Sequence, residues 1–195
     1  MAIAEQSSAL GSVTSGARTP KLGARLRFGD AVYNDVMDFL IQEALLLDEN
    51  RFEEWLNCLS PDIFYSMPVR RTVSRRDGPG FDSQLGSFLW DNLDTLKLRV
   101  RRITKTDSAF SEDPPSRTRR HVTNLSLYAT EVPGEFAAHS NLLLLRNRDE
   151  QAEYSLVSAL RKDLIRHAPT ACILSQRTIL IDQASLGMHN IAIFL

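Results

Sequence analysis

The sequence has few of the residues that bind catalytic metals. Among its 195 residues are two cysteines and four histidines. A zinc or non-haem iron site needs several such ligands close together, for example two histidines and a carboxylate. The chain contains no His-x-His, His-Glu-x-x-His or Cys-x-x-Cys motif. We therefore expect no metal and no cofactor on this chain.

The two cysteines, Cys58 and Cys172, allow two interpretations. They could form a disulfide or a metal-binding pair. Alternatively, they are two buried thiols in a reducing compartment, since unpaired cysteine commonly behaves as a small hydrophobic residue. We favour the second interpretation because each cysteine lies within an apolar helix or strand pattern.

Other recognisable sequence signals are missing as well. No apolar run approaches the roughly 18 residues of a membrane helix, and the first residues lack the pattern of a signal peptide. Gly-x-Ser-x-Gly, a P-loop and Gly-x-Gly-x-x-Gly are absent. A net charge of −1 argues against a nucleic-acid-binding protein. These features predict a cytoplasmic protein that contacts neither membrane nor nucleic acid.

The amino-terminal half of the sequence is predicted to be mostly helical. Residues 1–28 are polar and glycine-bearing, which indicates an arm that is flexible or ordered by a partner, and residues 29–195 form one domain. Apolar residues at helical spacing predict a first helix from about 30 to 47, with Asp30 as its N-cap. Further helices are expected near 51–59 and 92–105. Asn50 and Glu53 have capping-box spacing, and residues 70–90 are predicted to be mainly loop.

The second half is predicted to be mostly sheet. A short strand near 63–69 precedes it, and long strands are expected at about 118–130, 136–148, 152–167 and 171–182. A change in the alternation between Val122 and Leu125 suggests a β-bulge. The apolar end, residues 190–195, should be docked on the domain. Helices followed by an antiparallel meander predict an α+β fold in which a curved sheet wraps a long apolar helix.

Four segments of the sequence resemble a known family. They are SEDPPSRTRRHVTNL at 111–125, LLLDENRFEEWLNCLSPDIFYSMPVR at 45–70, LKLRVRRIT at 96–104 and RTILIDQASLGMHNIAIFL at 177–195. In order and spacing they resemble the β (small) subunits of aromatic-ring-hydroxylating dioxygenases, over most of the chain from about residue 30 onward.

The resemblance implies a fold, partners and a division of labour. The expected fold is the cystatin or NTF2-like cone, with N-terminal helices packed on a long, strongly curved, mainly antiparallel sheet. The expected assembly is an α3β3 hexamer in which the large catalytic α subunit carries the Rieske [2Fe-2S] cluster and the mononuclear Fe(II). A Rieske cluster needs two cysteines and two histidines, and no histidine lies within four positions of either cysteine. The chain would then be a structural subunit without catalytic residues.

Charge is unevenly distributed along the chain. Residues 67–120 contain 12 Lys or Arg and 7 Asp or Glu, a net of +5, whereas the remainder contains 11 and 17, a net of −6. Nucleic acid is the least favoured explanation because no aromatics are interleaved for stacking. Contact with a partner subunit and solvated charge with internal ion pairs remain open.

The best candidates for a partner interface surround two consecutive prolines. They are Glu112, Asp113, Arg117, Arg119 and Arg120, since arginine can make planar bidentate contacts across an interface. The alternative is a network within the chain that ties this segment to the helix carrying Arg99, Arg101 and Arg102.

Two other function classes remain open. A stand-alone enzyme on the same cone, such as an isomerase, dehydratase or hydrolase, would need an open apolar pocket with a buried acid or base. The available groups are Asp48, Asp62, Tyr33, Tyr65 and His139. A binding module of the transport-factor type would instead need an exposed apolar patch and no large partner.

Overall fold

A computed structural model describes residues 17–70, 74, 76, 81–105, 112, 114–148, 150, 152–169, 171–184 and 193–195. The helices in this part are α1 (Ala31–Asp48), α2 (Phe52–Trp55) and α3 (Leu93–Lys105), with a 3₁₀ turn at Leu56–Cys58. The strands are β1 (Arg25–Leu26), β2 (Leu59–Arg70), β3 (Phe81–Asp91), β4 (Arg117–Ala129), β5 (Glu135–Asn147), β6 (Ser155–Ala168) and β7 (Ala171–Ile181).

All seven strands join one sheet in the order β1-β4-β5-β6-β7-β2-β3. Neighbouring strands are antiparallel except β2 and β7, which are parallel. Helix α1 packs against the sheet and buries Val36, Leu40, Ala44 and Leu47 at three- and four-residue steps. The predicted α+β architecture with a mainly antiparallel sheet is confirmed.

Two local predictions were wrong. Residues 70–90 were expected to be mainly loop, but β3 lies within them and pairs with β2 through Trp90, Leu89 and other residues. The register of this pair shifts on both sides of Pro68, so the proline sits at a break in the pairing that its missing N–H requires. The capping box is also absent, because Asn50 has φ 58° and the N-cap of α2 is Arg51, without a side-chain cap.

The predicted bulge in β4 is confirmed. Its register against β5 shifts between Thr123 and Ser126, and Asn124 has φ 54°. Asparagine tolerates this left-handed conformation better than most residues. On either side of the shift Arg120 and Leu127 are both buried, so the bulge lets one strand keep residues of both parities inside.

The described part of the amino-terminal segment lies on the chain's own sheet. Gly23 N–H donates to the Ala129 carbonyl at 2.8 Å, and Ala129 N–H donates to the Ala24 carbonyl at 2.9 Å. Arg18 forms ion pairs with Glu131 and Glu135. The boundary predicted after residue 28 stays a prediction, and residues 1–16 lie outside the described part of the chain.

None of the helices in the described ranges is long and apolar enough to cross a membrane.

Candidate functional site

Glu112, the first of the predicted interface residues, is bound within the chain. Its Oε1 lies 2.6 Å from Nη2 of Arg146 on β5, and both side chains are almost fully buried. Its Oε2 accepts a hydrogen bond from Ser116 N–H at 3.1 Å. Glu112 therefore anchors the Pro-Pro segment to β5. The alternative tie to the helix that carries Arg99, Arg101 and Arg102 stays a prediction. Asp113 lies outside the described residues.

Arg120 is also used inside the molecule, where its side chain is 1% exposed. Its Nη1 forms an ion pair with Asp48 Oδ1 at the end of α1, and its backbone N–H donates to Asp48 Oδ2 at 2.8 Å. Thr118 Oγ1 donates to Asp48 Oδ1 at 2.9 Å. One carboxylate thus joins α1 to β4 through three donors, and Arg120 adds an Nη2 bond to the Phe194 carbonyl at 2.6 Å.

Arg117 and Arg119 lie on the opposite face of β4 and are exposed. Arg117 Nη2 donates to Asn147 Oδ1 on β5, and Arg119 is paired in register with Leu145. The structure therefore separates the predicted set by strand parity, with Arg120 inside and these two arginines on the outer face of the sheet. Their role at a partner interface stays a prediction.

The outer face of the sheet carries apolar side chains on three adjacent strands. Leu143 and Leu156 are 39% and 46% exposed. Leu145 is paired with Leu156, and Leu160 is paired with Leu180, so their side chains lie on one face. We call this set the outer patch: Leu143, Leu145, Leu156, Leu160 and Leu180. Arg117 and Arg119 border it on β4.

The interior contains a buried charge cluster that sequence reasoning missed: Glu43, Asp163, Arg161 and Arg177. Arg177 donates two hydrogen bonds to Glu43, at 2.6 and 2.8 Å, and two to Asp163, at 2.8 and 2.9 Å. Both interactions are bidentate. Glu43 also accepts from Trp55 Nε1–H at 3.0 Å. All four charged side chains are buried, and their formal charges cancel.

Arg161 has donors to spare in this cluster. Its Nη1 lies 3.7 Å from Glu43 Oε2, and its Nε donates to Ser140 at 3.4 Å. Its Nη1 and Nη2 are buried and lack a hydrogen-bond partner among the described residues. The cluster therefore has more donor capacity than its two carboxylates use.

The cluster also sets the pKa of Glu43. Burial alone would raise this pKa, but attraction to Arg177 and Arg161 and hydrogen bonds from Arg177 and Trp55 together lower it to about 2. Glu43 is thus ionised throughout the neutral range. A sequence signal existed, because Glu43 falls between Leu40 and Leu47 on the buried stripe of α1.

Residues 193–195 fill the space between this cluster and α2. Phe194 is fully buried, with its ring 4.5 Å from the Trp55 ring centroid and 5.7 Å from that of Phe52. Tyr65 OH donates to the Leu195 carbonyl oxygen at 2.7 Å and accepts from Leu195 N–H at 2.8 Å. The expected docking of this apolar end is confirmed for the described residues.

The acids and phenols that a stand-alone enzyme could use each bind another residue of the chain. Asp48 binds Arg120, and Tyr65 binds Leu195. Tyr33 OH donates to the Leu125 carbonyl at 3.3 Å. Asp62 is exposed and held by Arg166, and hydrogen bonds from that arginine lower its pKa to about 2. Each of the four groups is therefore already bound by another residue of the chain.

His139 lies on the outer face of β5. There it lines a cavity of about 400 Å³ with Lys162 and Gln176, under the segment containing Arg18. Burial and the nearby Lys162 charge lower its pKa, which favours the neutral imidazole. His139 thus lies on the opposite side of the sheet from the buried charge cluster around Glu43 and Arg177.

Both cysteines are free thiols and half-buried. Burial raises the pKa of Cys58 to about 11, with a further contribution from Glu43. Burial, with Asp35, raises that of Cys172 to about 11 as well. Within the described residues, no three His, Cys, Asp or Glu side chains are grouped to hold a metal ion.

Comparison with known proteins gives matches over most of the chain. A family model described as the ring hydroxylating beta subunit matches residues 42–188. Benzene 1,2-dioxygenase subunit beta of Pseudomonas putida is 36% identical over 165 residues, which are 83% of this chain and 87% of that protein.

Solved structures show the same fold at lower identity. One, described as naphthalene 1,2-dioxygenase with indole bound in the active site, has a TM-score of 0.74 at 23% identity and covers 87% of this chain and 88% of its own. A protein from Nostoc punctiforme with a cystatin-like fold has a TM-score of 0.53 at 16% identity, covering 83% and 98% of the two chains. These likenesses confirm the cystatin or NTF2-like fold.

Proposed function

Because this chain belongs to the family of ring hydroxylating β subunits, we propose that it is the structural subunit of the terminal oxygenase of an aromatic-ring-hydroxylating dioxygenase. The observation that carries the proposal is the match of residues 42–188 to that family. The oxygenase would perform cis-dihydroxylation in the catabolism of aromatic hydrocarbons, with the chemistry on another chain.

The packing of the interior is consistent with a structural role for this chain. An enzyme on this fold needs a pocket that admits substrate next to an acid or base. Here Phe194 and Leu195 lie against Trp55 and Tyr65, and the nearby carboxylates Glu43 and Asp163 are bound by Arg177. These groups stabilise the monomer through contacts with one another.

The partner is a large catalytic α subunit, which the word "beta" in the names of the family and of its relatives implies. We assign the outer patch to this α subunit. Its exposed leucines offer apolar area, and Arg117 and Arg119 at its border offer donors to carboxylates or carbonyls. A polar border around an apolar centre is typical of subunit interfaces.

Three copies of this chain and three α subunits would make the assembly. The Rieske cluster and the mononuclear Fe(II) are assigned to the α subunit, and the location to the cytoplasm. The family supports the first assignment, since its members are the beta subunits of such oxygenases. Free thiols, which suit a reducing compartment, support the second.

The proposal is tested by co-expressing a tagged version of this chain with the large subunit and weighing the complex by native mass spectrometry. We expect one species with three copies of each chain. A chain that stays monomeric beside a folded, active large subunit would contradict the proposal. A complex of this chain with itself alone would contradict the assignment of the α partner.

A further inference from the structure

The space that residues 193–195 fill has the composition of a binding site. The ring of Phe194 lies between the indole of Trp55, at 4.5 Å between centroids, and the guanidinium of Arg99, whose Cζ is 4.6 Å from the ring centroid. A ring held between an aromatic face and a cation gains both stacking and cation–π attraction. Apolar packing alone would not need the arginine.

The main-chain oxygens of the same residues are bound by charged or phenolic donors. Arg120 Nη2 donates to the Phe194 carbonyl at 2.6 Å, and Arg177 Nη1 donates to the Leu195 carbonyl at 3.3 Å. Tyr65 OH donates to the latter at 2.7 Å. A ring slot beside three convergent donors recognises an aromatic group joined by a short linker to an oxygen acceptor.

The donors favour an acceptor that carries negative charge. Hydrogen bonds from a guanidinium are strongest to a carboxylate. Arg161, which shares Glu43 with Arg177, has two buried nitrogens without a hydrogen-bond partner among the described residues. Unmet donors in a buried cluster are costly and are satisfied when an anion or water enters.

We propose that residues 193–195 are the resident ligand of a pocket that binds small aromatic carboxylates. Phe194 places its ring in the slot, and its carbonyl oxygen, on Arg120, and the Leu195 nitrogen, on Tyr65, take the positions of the two carboxylate oxygens. The pocket is closed to free ligands while this segment is docked. This site is independent of the outer patch and of the role assigned to the subunit.

The experiment compares two full-length variants with the wild type. Phe194→Gly combined with Leu195→Gly removes both apolar anchors and frees the ring slot and the donors together. Phe194→Ala alone removes the ring and leaves the main-chain oxygens on Arg120 and Tyr65. The probes are N-acetylphenylalanine, N-acetylphenylalaninamide, which lacks the charge, and N-acetylalanine, which lacks the ring.

Isothermal titration calorimetry should find that the double variant binds N-acetylphenylalanine at least tenfold more tightly than either of the other probes. Wild type should bind none of them measurably, and Phe194→Ala should not prefer the acid over the amide. Adding Tyr65→Phe to the double variant should weaken acid binding several-fold, because this hydroxyl contacts residue 195.

Equal binding of acid and amide by the double variant would overturn the proposal, as would binding that Tyr65→Phe leaves unchanged. If the double variant is unfolded, thermal denaturation with increasing N-acetylphenylalanine replaces calorimetry, since a ligand of the native state restores folding. Failure of the acid to raise the melting temperature more than the amide would count equally against it.

Discussion

Arg177 donates hydrogen bonds to both carboxylate oxygens of Glu43, at 2.6 Å and 2.8 Å, and so ties strand β7 to helix α1 through the interior. Both side chains are fully buried. The same guanidinium holds Asp163 on β6. Together with the contacts of Asp48 to β4, this ion pair fixes the position of the helix on the sheet.

Glu43→Gln should destabilise the protein by about 3–5 kcal/mol, because removing one partner of a buried ion pair leaves uncompensated charge. Arg177 and Arg161 would then share one carboxylate, Asp163. Urea unfolding followed by circular dichroism measures the loss. The control is Glu49→Gln, at an exposed carboxylate one residue after α1, which should leave the midpoint nearly unchanged. Equal effects of the two substitutions would contradict the importance of the buried cluster.

The stability of the wild type should fall in acid through Glu43. Its pKa is about 2 in the folded protein against an ordinary value of 4.5, so the unfolded chain takes up the proton first. The contribution is complete above pH 4.5 and is lost as the pH falls toward 2, with a size on the order of 3 kcal/mol. Urea midpoints at pH 5, 4 and 3 should fall more steeply for wild type than for Glu43→Gln. Parallel slopes would show that this carboxyl does not titrate as described.

Asp48→Asn should also destabilise the fold, by about 2–4 kcal/mol, since it leaves the buried Arg120 without its carboxylate. The three donors on Asp48 connect α1 to β4. The matched control is Asp62→Asn, which breaks an exposed pair with Arg166. Exposed pairs contribute little, so its denaturation midpoint should remain close to that of the wild type. A larger effect at Asp62 than at Asp48 would be inconsistent with this structure.

Asn124 should accept glycine and reject valine. Its φ of 54° suits glycine, whereas a β-branched residue in this region costs about 1–2 kcal/mol. Asn124→Gly should therefore leave the melting temperature within a few degrees of wild type, and Asn124→Val should lower it clearly. Thr123→Val, one residue earlier on the same strand, controls for branching itself. If Asn124→Val is harmless, the strand does not bulge at this residue.

The outer patch should be needed for assembly and not for folding. Leu143→Lys combined with Leu156→Lys places charge where both side chains are already exposed, so the isolated chain should keep its circular dichroism spectrum and melting temperature. Co-purification with the large subunit should drop at least tenfold. Leu98→Lys, at a leucine of α3 that is 58% exposed, serves as the control and should co-purify normally. Normal assembly of the double variant would show that the interface with the large subunit is not on this face.

The sequence predicted the regular parts of this fold because they follow simple periodicity. Leu40 and Leu47 repeat at helical spacing, and the long strands alternate in burial around one bulge that the parity change at Val122 and Leu125 already indicated. Strand β3 was missed because its residues include glycine, serine and aspartate and lack a clear apolar alternation. Its formation depends on pairing with β2, which is a long-range property.

The candidate site was harder to predict, because the role of each charged residue depends on the face of the strand that it occupies and on the residue that it binds. Glu112, Arg117, Arg119 and Arg120 are close in sequence, yet β4 turns Arg120 inward to Asp48 and the other two arginines outward. The buried cluster joins Glu43 to Arg177 across 134 positions, and no local spacing in the sequence predicts a contact over that distance. An acidic residue inside an apolar helical stripe was the one available signal.

The most direct test of the account measures iron and acid-labile sulfide on each chain after the purified oxygenase is separated under mild, anaerobic conditions, and then assays each chain with reductase and ferredoxin. We predict that all of the iron and sulfide stays with the large subunit and that this chain alone converts no ring substrate. Iron retained by this chain through its own side chains, or turnover of an aromatic ring by it in isolation, would contradict the account.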